Sequence, residues 1–162
     1  IIPENLIEER ILLDPRIQEG LRYGKVRDSH PEGDVLTHVK TMLHYIDRQG
    51  WREWRLDLRA MVLVHDSFNY LVRKEDGKIV GPGHAELAAY FYAQRFPEDK
   101  RLREAIMYHD KAFELYKSTR THGLDVVEFD RHAVSARDHL FSRGHHFRLS
   151  ACDVWRLVYF RI

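Results

Sequence analysis

Leu58-Arg59-Ala60-Met61-Val62-Leu63-Val64-His65-Asp66 has helical spacing, and its most apolar turn runs straight into two polar side chains. The periodicity predicts a helix over about 52–67, with Leu56, Leu58, Met61, Val62 and Val64 as its apolar positions. Its longest purely apolar run, Ala60 to Val64, is far below the roughly 20 residues of a membrane helix. The His65-Asp66 doublet therefore ends an apolar face, where a polar group costs free energy unless it is paired or bound to a metal.

The segments on either side are also helical. Asp34 is placed to cap a helix running to about Gln49, with Val35, Val39, Met42 and Ile46 as its stripe and Gly50 at its end. The first twenty residues predict one or two short helices broken at Asp14-Pro15. Downstream, 70–83 is expected to be a loop with a small hairpin around Asp76-Gly77. A helix follows over about 84–96, and Pro97-Glu98-Asp99 opens another carrying Leu102, Ala105 and Ile106. Further helices are expected over about 112–116, 124–141 and 147–159. The prolines at 3, 15, 31, 82 and 97 fall between periodic segments, and nothing alternates in a sustained way. The fold class is all-α, an irregular helical bundle.

Bulk composition narrows the function. The 162 residues suit a single domain over 1–162, and 44% hydrophobic content suffices for a core. With 26 basic against 25 acidic residues, no global field draws the chain to long nucleic acid or to an anionic membrane. The lone cysteine, Cys152, excludes an internal disulfide and thiolate zinc clusters, and suits a reducing, cytoplasmic setting. Ile1-Ile2-Pro3-Glu4 shows no basic or apolar leader region, so no signal peptide is read. G-x-G-x-x-G, the P-loop, H-E-x-x-H and G-x-S-x-G are all missing. Oligomeric state is not readable from the chain.

Histidine is over-represented, with eleven residues, and its placement matters more than its number. His38 shares a face with Val35 and Met42. His109 follows Leu102, Ala105 and Ile106 at i+7, i+4 and i+3, and His84 opens its helix after the glycine-rich loop. Asp153 lies between Leu149 and Leu157, four residues from each. Taken singly, each is more commonly a satisfied core residue or a cap. Together, His38, His65, Asp66 and Asp153 offer two imidazoles and two carboxylates from three helices, a donor set for a hard-to-borderline divalent ion. His44, six residues beyond His38 and roughly 240° around the helix, should face away.

The order His38, His65-Asp66, Asp153 resembles the H…HD…D signature of the HD superfamily. The lead-in His30-Pro31-Glu32-Gly33-Asp34-Val35-Leu36-Thr37-His38 and the helix delivering the doublet are similar to that family's, and the resemblance spans about 30–160. Tyr108-His109-Asp110 and His84-Ala85-Glu86 resemble the additional histidine positions of two-metal members. The resemblance implies an HD-type bundle and one metal held by His38, His65, Asp66 and Asp153. A second metal would take His84 and His109, with Asp66 bridging. It also implies phosphoester hydrolysis through a metal-activated water, acting on a nucleotide or other small phosphoester. Mn, Fe, Co, Ni or Mg would serve. Glu86 and Asp110 are candidates to orient ligands or shuttle protons beside Asp66. Asp125 and Asp130 compete with Asp153 for the last ligand position.

One departure from the family pattern bears on substrate. Hydrolytic members often continue as His-Asp-x-x-Lys, whereas here His65-Asp66 is followed by Ser67-Phe68-Asn69. A phosphate-facing cation would then come from Lys111, Arg73 or Lys74, with Lys117 and Arg120 further off. Two alternatives stay open: an HD-type di-iron oxygenase, and a non-catalytic metal-binding regulatory domain.

Overall fold

The computed structural model describes residues 1–26, 32–49, 52 and 54–110. Six α-helices occupy most of them: α1 Leu6–Leu12, α2 Pro15–Leu21, α3 Val35–Gln49, α4 Arg55–Val64, α5 His84–Arg95 and α6 Lys100–Tyr108. The fold is all-α. The helices expected over 112–116, 124–141 and 147–159 lie outside the described residues, as do Asp153, Asp125, Asp130, Lys111, Lys117 and Arg120.

Side-chain caps fix most of the helix starts, because the first amides of a helix have no partner within it. Asn5 Oδ1 accepts from the Glu8 amide at 2.9 Å, and Asp14 Oδ1 accepts from the Arg16 amide at 2.9 Å, ahead of Pro15. Asp34 Oδ1 accepts from Thr37 N–H at 2.7 Å, and Asp99 Oδ1 from Leu102 N–H at 3.1 Å. Between α4 and α5, two-residue strands Lys74–Glu75 (β1) and Lys78–Ile79 (β2) pair antiparallel. Asp76 and Gly77 join them with φ of 49° and 75°, the left-handed pair that a tight hairpin requires.

Helix α4 is the central element. Every residue from Leu58 to Val64 is buried, and α1, α3 and α6 all pack on it. Its start differs from the expected one. The helix begins at Arg55, and Leu56, expected on the apolar face, is 51% exposed. Arg59 is buried within this apolar helix, and its guanidinium meets the fully buried Glu8 carboxylate at 2.9 Å and 3.0 Å. That pair fixes α1 against α4.

A close approach sets the turn after α4. A Cβ built on Gly20 of α2 would lie 1.7 Å from the carbonyl oxygen of Ser67, so only glycine lets α2 pack there. Ser67 in turn donates its hydroxyl to Leu63 O at 2.7 Å. Backbone from α2 thus presses on the residue directly after His65-Asp66.

Candidate metal centre

Four helices deliver the polar side chains. His38 comes from the first turns of α3, His65 and Asp66 from the end of α4, His84 from the start of α5, and His109 and Asp110 from the end of α6. They converge because each sits at a helix end or on a core-facing stripe. His65 and His109 are almost fully buried, whereas His38, His84, Asp66 and Asp110 are half-buried.

Asp66 lies at the middle. Its Oδ2 is 3.3 Å from His65 Nε2 and 3.8 Å from His38 Nε2, while Oδ1 is 3.3 Å from His84 Nε2 and 3.9 Å from His109 Nε2. One carboxylate therefore faces two histidine pairs, one with each oxygen. Two groups, His38/His65/Asp66 and Asp66/His84/His109, each bring their donor atoms within 4.8 Å of one another and could hold a metal ion. With metal–nitrogen bonds near 2.1 Å, neighbouring donors stand about 3.0 Å apart around an octahedral ion and about 3.4 Å around a tetrahedral one. The shorter separations above match those spacings, so the donors fit a small divalent cation.

The buried rings are held in the form a metal needs. His65 Nδ1 faces the Val62 carbonyl at 2.9 Å, and His109 Nδ1 faces the Ile106 carbonyl at 2.7 Å. A carbonyl can only accept, so each Nδ1 carries the hydrogen and each Nε2 turns its lone pair inward. His65 Nε2 makes no hydrogen bond although it is buried, and its approach to Asp66 is off-angle. A buried nitrogen left in this way is what an absent cation would explain.

The electrostatics favour ionised carboxylates and a neutral His109, whereas at His65 burial is outweighed by Asp66, which raises it. Burial opposes ionisation of Asp66, but His65, His109 and His84 outweigh it and hold the carboxyl well below the usual range. Burial likewise opposes charge on Asp110, and its hydrogen bond with His84 and the nearby His109 bring it below the ordinary value. Burial and the neighbouring His65 push His109 down to about 4, so its ring is neutral at neutral pH. For His84, burial is outweighed by Asp110 and Asp66, which raise it.

The other expected residues fall elsewhere or outside the described region. Glu86 is exposed, and its carboxylate accepts from the Gly83 amide at 2.8 Å, which makes it a helix cap rather than a residue turned to the ligand cluster. Arg73 is 77% exposed and pairs with Glu75, and Lys74 lies exposed on β1. Asp153 and Lys111 lie outside the described residues. His44 is exposed, as expected.

Two neighbours were not singled out from the sequence. Glu32 Oε1 stands 3.5 Å from His38 Nδ1, and the Asn69 amide donates to Asp66 Oδ1 at 3.1 Å. Asn69 lies three residues beyond Asp66, so local spacing could have indicated it. Glu32 precedes α3 in a loop, where no periodicity marks it.

No family model matches the chain, and neither does any curated protein or solved structure. Among the described residues, no helix is long and apolar enough to cross a membrane.

Proposed function

We propose that this chain is a metal-dependent phosphohydrolase of the HD type, acting on a nucleotide or another small phosphoester. One observation carries the reading: two histidine pairs gather on the two oxygens of a single aspartate. When bound, a divalent ion in such a donor set lowers the pKa of a water and offsets negative charge building on a phosphoryl group. His38, His65 and Asp66 would hold one ion, with Asp153 as the expected fourth donor. Asp66, His84 and His109 would hold the second.

The chain's own groups prepare this chemistry. The Val62 and Ile106 carbonyls hold Nδ1 of His65 and His109 and turn each Nε2 toward Asp66, and burial beside His65 keeps the His109 ring neutral. Asp66 stays ionised, supplying the negative charge that favours a divalent ion. With Arg73 and Lys74 exposed, the remaining candidates for the phosphate-facing cation are Lys111, Lys117 and Arg120, all outside the described residues.

The test is release of phosphate or nucleoside from a panel of nucleotides and model phosphodiesters. Protein is reconstituted separately with Mn²⁺, Co²⁺, Ni²⁺ or Mg²⁺, and the control is the double change His65→Ala, Asp66→Ala. Metal-dependent turnover that disappears in the control supports the hydrolase. Stoichiometric metal binding without turnover on any substrate sinks it.

A second reading, a di-iron oxygenase, is favoured by a separate observation. Among the described residues, Asp66 is surrounded by imidazoles and the Asn69 amide, with no lysine or arginine paired to it. Oxygen uptake by the iron-loaded protein, without phosphate release, would select it over the hydrolase. Metal binding without either activity would leave the regulatory-domain reading.

A further inference from the structure

His65-Asp66 has a structural counterpart in His109-Asp110. Each histidine is the C-cap of its helix, with φ and ψ of −51° and −46° at His65 and −58° and −32° at His109. Each ring fixes Nδ1 on the carbonyl three residues upstream, at 2.9 Å and 2.7 Å. Each is followed by an aspartate whose carboxylate lies near its Nε2, at 3.3 Å for Asp66 and 3.7 Å for Asp110.

The second doublet also faces the cluster. His84 Nε2 stands 2.9 Å from Asp110 Oδ2, 3.2 Å from His109 Nε2 and 3.3 Å from Asp66 Oδ1. The Nδ1 contact with the Ile106 carbonyl leaves His109 Nε2 as an acceptor, and carboxylate oxygens accept. His84 Nε2 can donate at most one hydrogen, so it can satisfy only one of these three acceptors. A cation held by Asp66 Oδ1, His84 Nε2 and His109 Nε2, the three donors that lie within 4.8 Å of one another, would remove that conflict, and Asp110 Oδ2, 2.9 Å from His84 Nε2, is the next carboxylate oxygen beside it.

We propose that Asp110 is a direct ligand of the second divalent ion, completing a four-donor site with Asp66 Oδ1, His84 and His109. The assignment rests on the two-metal reading above and goes beyond it: Asp110 touches the metal instead of only orienting a ligand. The second site is then held by two carboxylates and two imidazoles.

The experiment is a Co²⁺ titration of the full chain, read by equilibrium dialysis and by the cobalt d–d absorption, with no substrate present. Wild type, Asp110→Asn and His38→Ala are compared, with circular dichroism checking that each variant is folded. Asn keeps the size of Asp and can still accept from His84, so the change removes chiefly the charge and the ligand. The expected result is two ions per wild-type chain. In Asp110→Asn one ion binds unchanged, while affinity for the other falls more than about 100-fold, beyond the 10–100-fold typical of an outer partner. His38→Ala should weaken the opposite ion. Two ions in wild type with a fall below about 100-fold in Asp110→Asn overturn the ligand assignment and leave the two-metal reading intact. Fewer than two ions in wild type overturn both.

Discussion

Gly20→Ala changes one hydrogen to a methyl group, and the structure predicts that the methyl cannot be placed. Its Cβ would stand 1.7 Å from Ser67 O and 2.6 Å from the Ser67 carbonyl carbon, where ordinary contact begins near 3.4 Å. Both neighbours are backbone, so no side-chain rotation relieves the clash. Two effects oppose each other. Alanine in place of helical glycine gains about 1 kcal/mol of helix propensity, while overpacking that shifts backbone costs up to about 3 kcal/mol. The clash wins by about 2 kcal/mol. For a chain of this size that corresponds to a fall in Tm of about 4–8 °C. Differential scanning calorimetry on wild type and variant measures it. Because Ser67 adjoins Asp66, Co²⁺ affinity should fall as well. A Tm equal to or above wild type would mean that propensity alone acts and that α2 does not press on the turn after the doublet.

The buried pair between Glu8 and Arg59 gives a second expectation. Glu8→Ala alone should cost about 3 kcal/mol in urea unfolding, because the buried guanidinium loses its two shortest carboxylate contacts and keeps Glu4 at 3.2 Å and Asp47 and the Ile2 carbonyl at 3.4 Å. The joint change Glu8→Leu, Arg59→Met should cost much less, and equal costs would refute the pairing. Asp14 sets a pH dependence. Burial opposes its charge, but hydrogen bonds with Arg16 and Arg95 prevail and lower it from 3.8 to about 2. Its stabilisation is therefore present above 3.8 and is lost as pH falls toward about 2, amounting to about 2 kcal/mol. Asp14→Asn should flatten that part of the acid limb, and an unchanged acid profile would count against it. Finally, Mn²⁺ at about 100 times its Kd should stabilise the chain by about 2.7 kcal/mol for each ion bound, reversibly with chelator. Asp66→Asn should abolish that shift in a thermal melt, and a shift that survives the change would place the ion elsewhere.

Local chemistry was the most legible part of the chain. Asp34, Asp99 and Asp14-Pro15 each predict a helix start that the structure shows, because a capping carboxylate acts within three residues of its own position. Asp76-Gly77 predicts its hairpin for the same reason. What escaped the sequence is long-range or geometric. Glu8 and Arg59 are 51 residues apart and meet only in the folded chain, so no periodicity announces them. Leu56 sits where the helical stripe would bury it, but its position near the start of α4 leaves it facing solvent. Glu86 shows how one residue type supports two readings. An acid two residues past a candidate ligand looks like a second-layer partner, yet three residues past Gly83 it is a helix cap, and the nearer amide prevails. The histidines were legible because a polar side chain on an apolar face stands out. From the sequence Asp110 is legible only as a candidate to orient a ligand or shuttle a proton. Its distance to His84, a residue 26 positions upstream, is what gives it a role.

The convergence of four helices on Asp66 also has a consequence for the polymer. Between His38 and Asp110 the chain closes a succession of loops at one point, and only His65-Asp66 and His109-Asp110 are contiguous. An ion seated there would tether those segments together much as a disulfide tethers two, limiting the freedom of the denatured chain. In a protein whose single cysteine leaves it no internal disulfide, such a reversible fastening would tie folding to the supply of metal.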